Sequence, residues 1–310
     1  MSEPRKSQWQ DHIVRQLNGR DRQIELPARF QVVNDHWNQV PPDMPKIGYT
    51  PDVIYMQELD RLLLTVDCAH PNPVHHTTIS TSDDHGATWS ERRWLHTDPS
   101  GNPDAQCVGL TYLGKGQLTM NPDAKFRWYS SDYGQTWHPG EVRPLASDGK
   151  CFYQAGDTNP LLVDRDPAGK IIRLAETCWK PTGIPWGSAE APYSQAYIWF
   201  STDLGRTWST ERKVPQWLGV NEVALVRAQN GDIVATCRTD SPKRYAPLKF
   251  DHYSGLGVSI SRDNGHTWSE INGLFEWGRH LGSMAVLPDG RIVMSCVVRL
   301  GYTNAADGFS

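Results

Sequence analysis

Short apolar runs separated by turn-forming residues fill most of the chain, and they come in pairs. Asp52 to Tyr55 is followed by Leu62 to Val66, Val108 to Tyr112 by Gln117 to Met120, and Leu161 to Val163 by Ile171 to Leu174. Further on, Val223 to Val226 is followed by Ile233 to Thr236, and Met284 to Leu287 by Ile292 to Ser295. Brief runs rich in β-branched residues and bounded by Gly, Asp or Asn read as strands, and each pair reads as an antiparallel hairpin. The turns centre on Asp60, Gly116, Gly169, Gly231 and Gly290, so the spacings are 56, 53, 62 and 59 residues. A period near 57 residues without helical periodicity excludes a helical solenoid.

A second element sits inside each period. One octapeptide occurs four times, as Ser82 to Trp89, Ser130 to Trp137, Ser201 to Trp208 and Ser261 to Trp268, with the pattern Ser-x-Asp-x-Gly-x-Thr-Trp. Ser and Asp side chains accept hydrogen bonds from turn N–H groups, Gly supplies a positive φ, and Thr-Trp resumes a strand. Each octapeptide therefore closes a second hairpin, and two hairpins per period make a four-stranded antiparallel sheet. Such sheets repeated along a chain are blades of an all-β propeller, each covering the face of the next. The octapeptide aspartates Asp84, Asp132, Asp203 and Asp263 are expected to be structural.

The period also divides the chain. Residues 1–46 form an N-terminal extension, with a short helix expected at Ser7 to Leu17 (Trp9, Ile13 and Leu17 on one face) and a strand at Ile24 to Val33 that could close a ring. Residues 47–310 hold five first hairpins against four octapeptides, or about four and a half blades. On a six-bladed ring, on the order of 85 further residues are expected beyond Ser310.

In a blade of this kind the two hairpin turns share one end. The other end, where each first strand begins and each second strand finishes beside the axis, is where a site is expected. It collects Asp52, Asp67, Asn121, Glu176, Glu222, Arg238 and Arg299. Glu222 enters the axis just before an apolar strand, and Arg238 and Arg299 end adjacent second strands. Two guanidinium forks delivered to one rim suit a carboxylate ligand, with pairing to a neighbouring acid such as Asp240 as the structural alternative.

Composition narrows the field. Net charge is −4 in 310 residues, which provides no basic field for nucleic acid or an anionic membrane. No run is long and apolar enough to span a bilayer and no secretion signal is seen at the start, so a soluble, cytoplasmic protein is expected. Six cysteines without a Cys-x-x-Cys pair suit free buried thiols rather than disulfides or zinc. His70, His75 and His76 fall in one loop without a third ligand at zinc spacing. No metal and no cofactor are expected.

The four octapeptides resemble the Asp-box, or BNR, repeats of the sialidase superfamily, which occur also in sortilin-like receptors and propeller endoglucanases. Asn221 to Arg238, followed by Ser261 to Trp268, is similar to the sialidase segment carrying the essential glutamate and the second arginine of the triad that grips the substrate carboxylate. Arg299 resembles the third arginine by position. Where the family has its first arginine in an Arg-Ile-Pro-like segment, this chain has Tyr49-Thr50-Pro51, with Tyr49 in the arginine's place. The resemblance implies a retaining, metal-independent exo-glycoside hydrolase acting on a terminal acidic sugar of glycoconjugates. Glu222 would then deprotonate a tyrosine nucleophile from the last blade, expected beyond residue 310, and Asp67 would act as acid/base. A catalytically silent glycan-binding propeller is the alternative.

Overall fold

A computed structural model describes residues 51–69, 75–122, 126–142, 159–185, 192–240, 254–276 and 278–298. The N-terminal extension, with its expected helix and strand, lies outside the described residues, as do Tyr49 and Arg299.

All regular structure among the described residues is β. Blade 1 is β1 (Asp52–Met56), β2 (Arg61–Ala69), β3 (His75–Ser82) and β4 (Arg93–Trp94), and blade 2 is β5 (Cys107–Gly114), β6 (Gln117–Pro122), β7 (Phe126–Ser130) and β8 (His138–Val142). Blade 3 is β9 (Leu162–Arg165), β10 (Ile171–Pro181), β11 (Ser194–Ser201) and β12 (Arg212–Leu218). Blade 4 is β13 (Val220–Arg227), β14 (Ile233–Thr239), β15 (Gly255–Ser261) and β16 (Asn272–Phe275), and β17 (Arg279–Val286) pairs with β18 (Ile292–Val298) as a fifth hairpin. Each four-stranded sheet is antiparallel with its strands in chain order. First strands of neighbouring blades touch one another, β1 against β5 and β13 against β17, which places them on the inner side of a propeller. Four complete blades and one hairpin are thus present among the described residues.

All five expected turn centres are hairpin turns, and each needs the left-handed region: Asp60 has φ 50°, Gly116 77°, Gly169 82°, Gly231 91° and Gly290 85°. Two differences are local. His75 and His76 begin β3 instead of lying in a loop, and β17 starts at Arg279, ahead of the expected start at Gly282. The first reflects how far β3 must run to pair with the long β2, where Cys68 faces His76 and Ala69 faces His75.

The octapeptides build one turn four times. In the first, the Ser82 hydroxyl donates to Asp84 (2.8 Å) and accepts the Gly86 N–H (2.8 Å), while Asp84 accepts the Thr88 N–H (2.8 Å) and hydroxyl (2.6 Å). The same bonds recur around Asp132, Asp203 and Asp263. They hold two successive residues at positive φ, the glycine and the non-glycine before it, including Leu204 at 63°. A bulky residue there is strained by roughly 1–2 kcal/mol, and the repeated carboxylate bonds offset that strain. Thr207, Thr267 and their counterparts hold these carboxyls below the ordinary range, Asp84 and Asp263 at about 2. The aspartates are structural.

The core lies between blades. Met56, Leu63, Ile79, Leu110, Leu118 and Trp137 fill the seam of blades 1 and 2, and Ile198, Trp217, Val223, Ile233 and Trp268 that of blades 3 and 4. Trp137 and Trp268 pack toward the preceding blade: Trp137 joins the blade 1 and 2 cluster, and the ring of Trp268 lies 4.5 Å from that of Trp217. Trp89 belongs to the first described blade and is 38% exposed. Cys68, Cys178 and Cys237 are buried cysteines at one repeated second-strand position.

Candidate functional site

At the end opposite the octapeptide turns, blade 4 brings Glu222 and Arg238 together. The β13/β14 register runs from Val220 opposite Thr239 to Val223 opposite Cys237, so the chain bulges at Asn221 and Glu222. A bulge re-aims side chains at a strand end, and here Glu222 meets Arg238 across the hairpin. Arg238 Nη1 donates to both Glu222 oxygens at 2.8 Å. Each residue is only 8% exposed. The Asn221 side-chain oxygen accepts the Glu222 N–H at 2.7 Å and fixes the bulge.

Asp240, the rival partner for Arg238, is turned elsewhere. Its carboxylate accepts the Tyr193 N–H (2.8 Å), the Ser194 N–H (3.0 Å) and the Ser194 hydroxyl, and so ties blade 4 to blade 3. Burial raises its pKa against those bonds and the nearby Arg238 charge.

Asp67 lies at the same end of blade 1, 2% exposed. One of its oxygens accepts the Thr77 hydroxyl, and the other accepts the Gln106 amide of blade 2 at 3.1 Å. Beside it sits Asp52, whose Oδ2 accepts the N–H groups of Gly109 (2.8 Å) and Leu110 (3.1 Å). Burial lifts the Asp52 carboxyl to about 7 against those two bonds, and the Asp67 charge adds to the rise. Asp52 was visible in sequence only as a rim position; its latch to blade 2 depends on a bulge in β5 that no local pattern marks.

Glu176 is consumed by packing. It accepts Arg127 Nη1 and Trp199 Nε1, both at 2.8 Å, inside the seam of blades 2 and 3. Arg279, at the head of β17, is 2% exposed, and its guanidinium lies 4.5 Å from the Phe275 ring centroid. Desolvation pulls its pKa below the ordinary arginine value. Extending the fifth hairpin three residues upstream would have found it. The structure thus brings Glu222 to Arg238, and places Asp67 at the same end of blade 1.

A profile of the BNR/Asp-box repeat family matches residues 128–139, the second octapeptide with its flanks. The octapeptide is an Asp box. The chain carries Asp boxes of the kind found in the sialidase superfamily, and a search of curated proteins by sequence found no match. Among solved structures it is similar to a protein of unknown function from Dyadobacter fermentans DSM 18053, with TM-score 0.57 and 18% identity over 79% of this chain and 74% of that one. That likeness concerns the fold alone. It is also similar to a Trypanosoma rangeli sialidase in complex with the inhibitor DANA (TM-score 0.45, 15% identity, 79% of this chain and 43% of that one). For the NanB sialidase of Streptococcus pneumoniae the figures are TM-score 0.46, 14% identity, 81% of this chain and 38% of that one. The chain therefore spans less than half the length of either sialidase.

The Asp-box end has its own connections between blades. Arg93 of blade 1 donates to the Gly134 carbonyl (2.6 Å) in the Asp box of blade 2, and Arg212 of blade 3 to that of Gly265 in the Asp box of blade 4. Asp164 of blade 3 binds Arg173 at 2.6 Å and Arg227 of blade 4 at 2.7 Å. These contacts tie neighbouring blades together at the Asp-box end. No helix among the described residues is long and apolar enough to cross a membrane.

Proposed function

We propose that the chain is a sialidase-like exo-glycoside hydrolase, built on a six-bladed ring and acting with retention on a terminal acidic sugar of a glycoconjugate. The observation that carries this reading is the buried Glu222–Arg238 pair, which sits at the end away from the Asp boxes and lies within a single blade. The two side chains pair within one hairpin, and burying two charges costs several kcal/mol per ion before their attraction is counted. Within the proposal, Arg238 with Arg299 grips the sugar carboxylate, with Tyr49 beside them where a third arginine would stand. Glu222 removes the proton from an attacking tyrosine hydroxyl, a reasonable nucleophile for a centre that already bears a carboxylate. Asp67 donates the proton to the leaving oxygen, which has to take the place of the Gln106 amide on its Oδ2.

One feature favours a second reading, a glycan-binding propeller without turnover: a single Nη1 of Arg238 engages both oxygens of Glu222, so the base is fully engaged by its neighbour. The two readings part on one experiment. The full-length protein and its Glu222→Gln variant are assayed for release of the reporter from a fluorogenic terminal sialoside, with a thermal melt of each protein. Turnover by the parent that falls by about 10²–10⁴ in the variant, with the variant still folded, supports the hydrolase. Saturable sialoside binding without turnover supports the second reading. Neither binding nor turnover overturns both.

A further inference from the structure

The cavities described above the Asp boxes belong to a different part of the molecule from the Glu222 rim. One, of about 780 Å³, opens where the first-hairpin turns of blades 1, 2 and 3 meet the Asp box of blade 3. A second, of about 340 Å³, continues it between blades 2 and 3 and shares Leu113, Leu204 and Arg206 with it. Four cations line the larger cavity: Lys115 from blade 2, and Arg165, Lys170 and Arg206 from blade 3. Two carboxylates, Glu58 and Asp203, also border it. The chain as a whole carries −4, so four cations around one hollow run against the global charge.

The two carboxylates are engaged by their own surroundings. Glu58 accepts the Tyr112 hydroxyl and the Lys115 N–H (3.0 Å). Asp203 accepts the Ser201 hydroxyl (2.8 Å), the Thr207 N–H (2.9 Å) and the Thr207 hydroxyl (2.6 Å) of its Asp box. Both carboxylates are held by bonds within the walls, and Glu58 offsets part of the Arg165 charge, while the Lys115, Lys170 and Arg206 side chains are exposed. Arg165 is held in place by the carbonyls of Leu113 (2.7 Å) and Gly169 (3.0 Å). The walls are therefore fixed by bonds that do not involve the ligand, and cations arrive from two blades. Arginine forks and lysine point charges together are the donor set that phosphate groups select.

We infer that this cavity at the Asp-box end binds a phosphorylated ligand with two or more phosphate groups, at a site separate from the Glu222 rim. The inference does not rest on the proposed hydrolase activity. The probe is inorganic tripolyphosphate, titrated calorimetrically into the whole chain and into a Lys170→Gln/Arg206→Gln double variant. Both replaced side chains are exposed, so folding is preserved, and a thermal melt verifies it. One saturable site, weakened tenfold or more in the double variant and weakened by added salt in the parent, supports the site. Absence of saturable binding, or equal affinity in the two proteins, overturns it. A parallel sedimentation with vesicles containing a bisphosphorylated inositol lipid separates the sources of the phosphate. Co-sedimentation that the double variant loses assigns a lipid headgroup, and tripolyphosphate binding alone assigns a soluble ligand.

Discussion

Replacing Asp52 with asparagine should make the protein more stable at alkaline pH and leave it nearly unchanged in acid. Asp52 sits in the seam of blades 1 and 2, with the Gly109 and Leu110 N–H groups on its Oδ2 and the charge of Asp67 nearby. Burial, the largest cause, raises its carboxyl from 3.8 to about 7. Folding therefore binds a proton between those values, and the stability this brings is fully present below the unfolded-state pKa of about 4 and is lost as pH rises through about 7. Three pH units at about 1.4 kcal/mol each give on the order of 4 kcal/mol, an upper figure that partial hydration of the seam reduces. An asparagine amide oxygen accepts the same two N–H groups and carries no charge at any pH. The assay is urea unfolding of parent and Asp52→Asn variant at pH 8 and pH 5. Other titrating groups cancel in the difference between the proteins, which should favour the variant by a few kcal/mol at pH 8 and shrink toward zero in acid. A difference that stays constant with pH, or a variant that is weaker at pH 8, would refute the assignment of a half-buried, charge-averse carboxyl at this seam.

Four further outcomes follow from packing. Glu176→Gln should destabilise the protein by about 3–5 kcal/mol in equilibrium unfolding, because it removes the Glu176 charge from the buried Arg127 guanidinium. Replacing Arg127 and Glu176 together by apolar residues should recover much of that loss. Gly255→Ala should cost at least as much as an overpacked core site, about 1–3 kcal/mol, since its Cβ would lie 2.5 Å from the Glu276 carbonyl oxygen and 2.6 Å from that of Phe275. Gly169→Ala meets nothing within 4 Å and loses only the ease of its positive φ, so it should cost about 1 kcal/mol; equal losses at the two glycines would show that the close approach in blade 4 is not real.

What could be read from the chain is what short-range chemistry fixes. The Asp box is eight residues whose bonds all close within four positions, so its pattern, its turn and the structural role of its aspartates are visible in any one copy. The five first hairpins are equally local, since alternation and a turn residue suffice. The blade seams are not. Glu176 and Arg127 are 49 positions apart and Asp52 and Gly109 are 57 apart, and nothing in either segment alone names the other. The partner of Arg238 was missed for a related reason. Asp240 is two positions away in sequence, just past the end of β14, whereas Glu222 reaches it only because the β13 bulge offsets the register by one residue. Arg279 escaped because its strand begins before the apolar run that announces it.

The two ends of the propeller differ in a way that bears on where function can reside. Four copies of one sequence make the Asp-box turns, so the bonds inside those turns are the same in every blade and cannot by themselves discriminate a ligand. Residues at the opposite end differ from blade to blade, and the structure sorts them by what holds them. Asp52 and Asp67 reach from blade 1 to blade 2, Glu176 of blade 3 is met by Arg127 of blade 2, and Asp240 of blade 4 clasps Ser194 of blade 3. Asp52, Glu176 and Asp240 are explained by the seams they close, and a substitution there should be read first as a loss of stability. The Glu222–Arg238 pair itself lies within one blade. Their substitutions are the ones in which a loss of binding or turnover can be separated from a loss of fold, which makes that pair the decisive place to test chemistry at this rim.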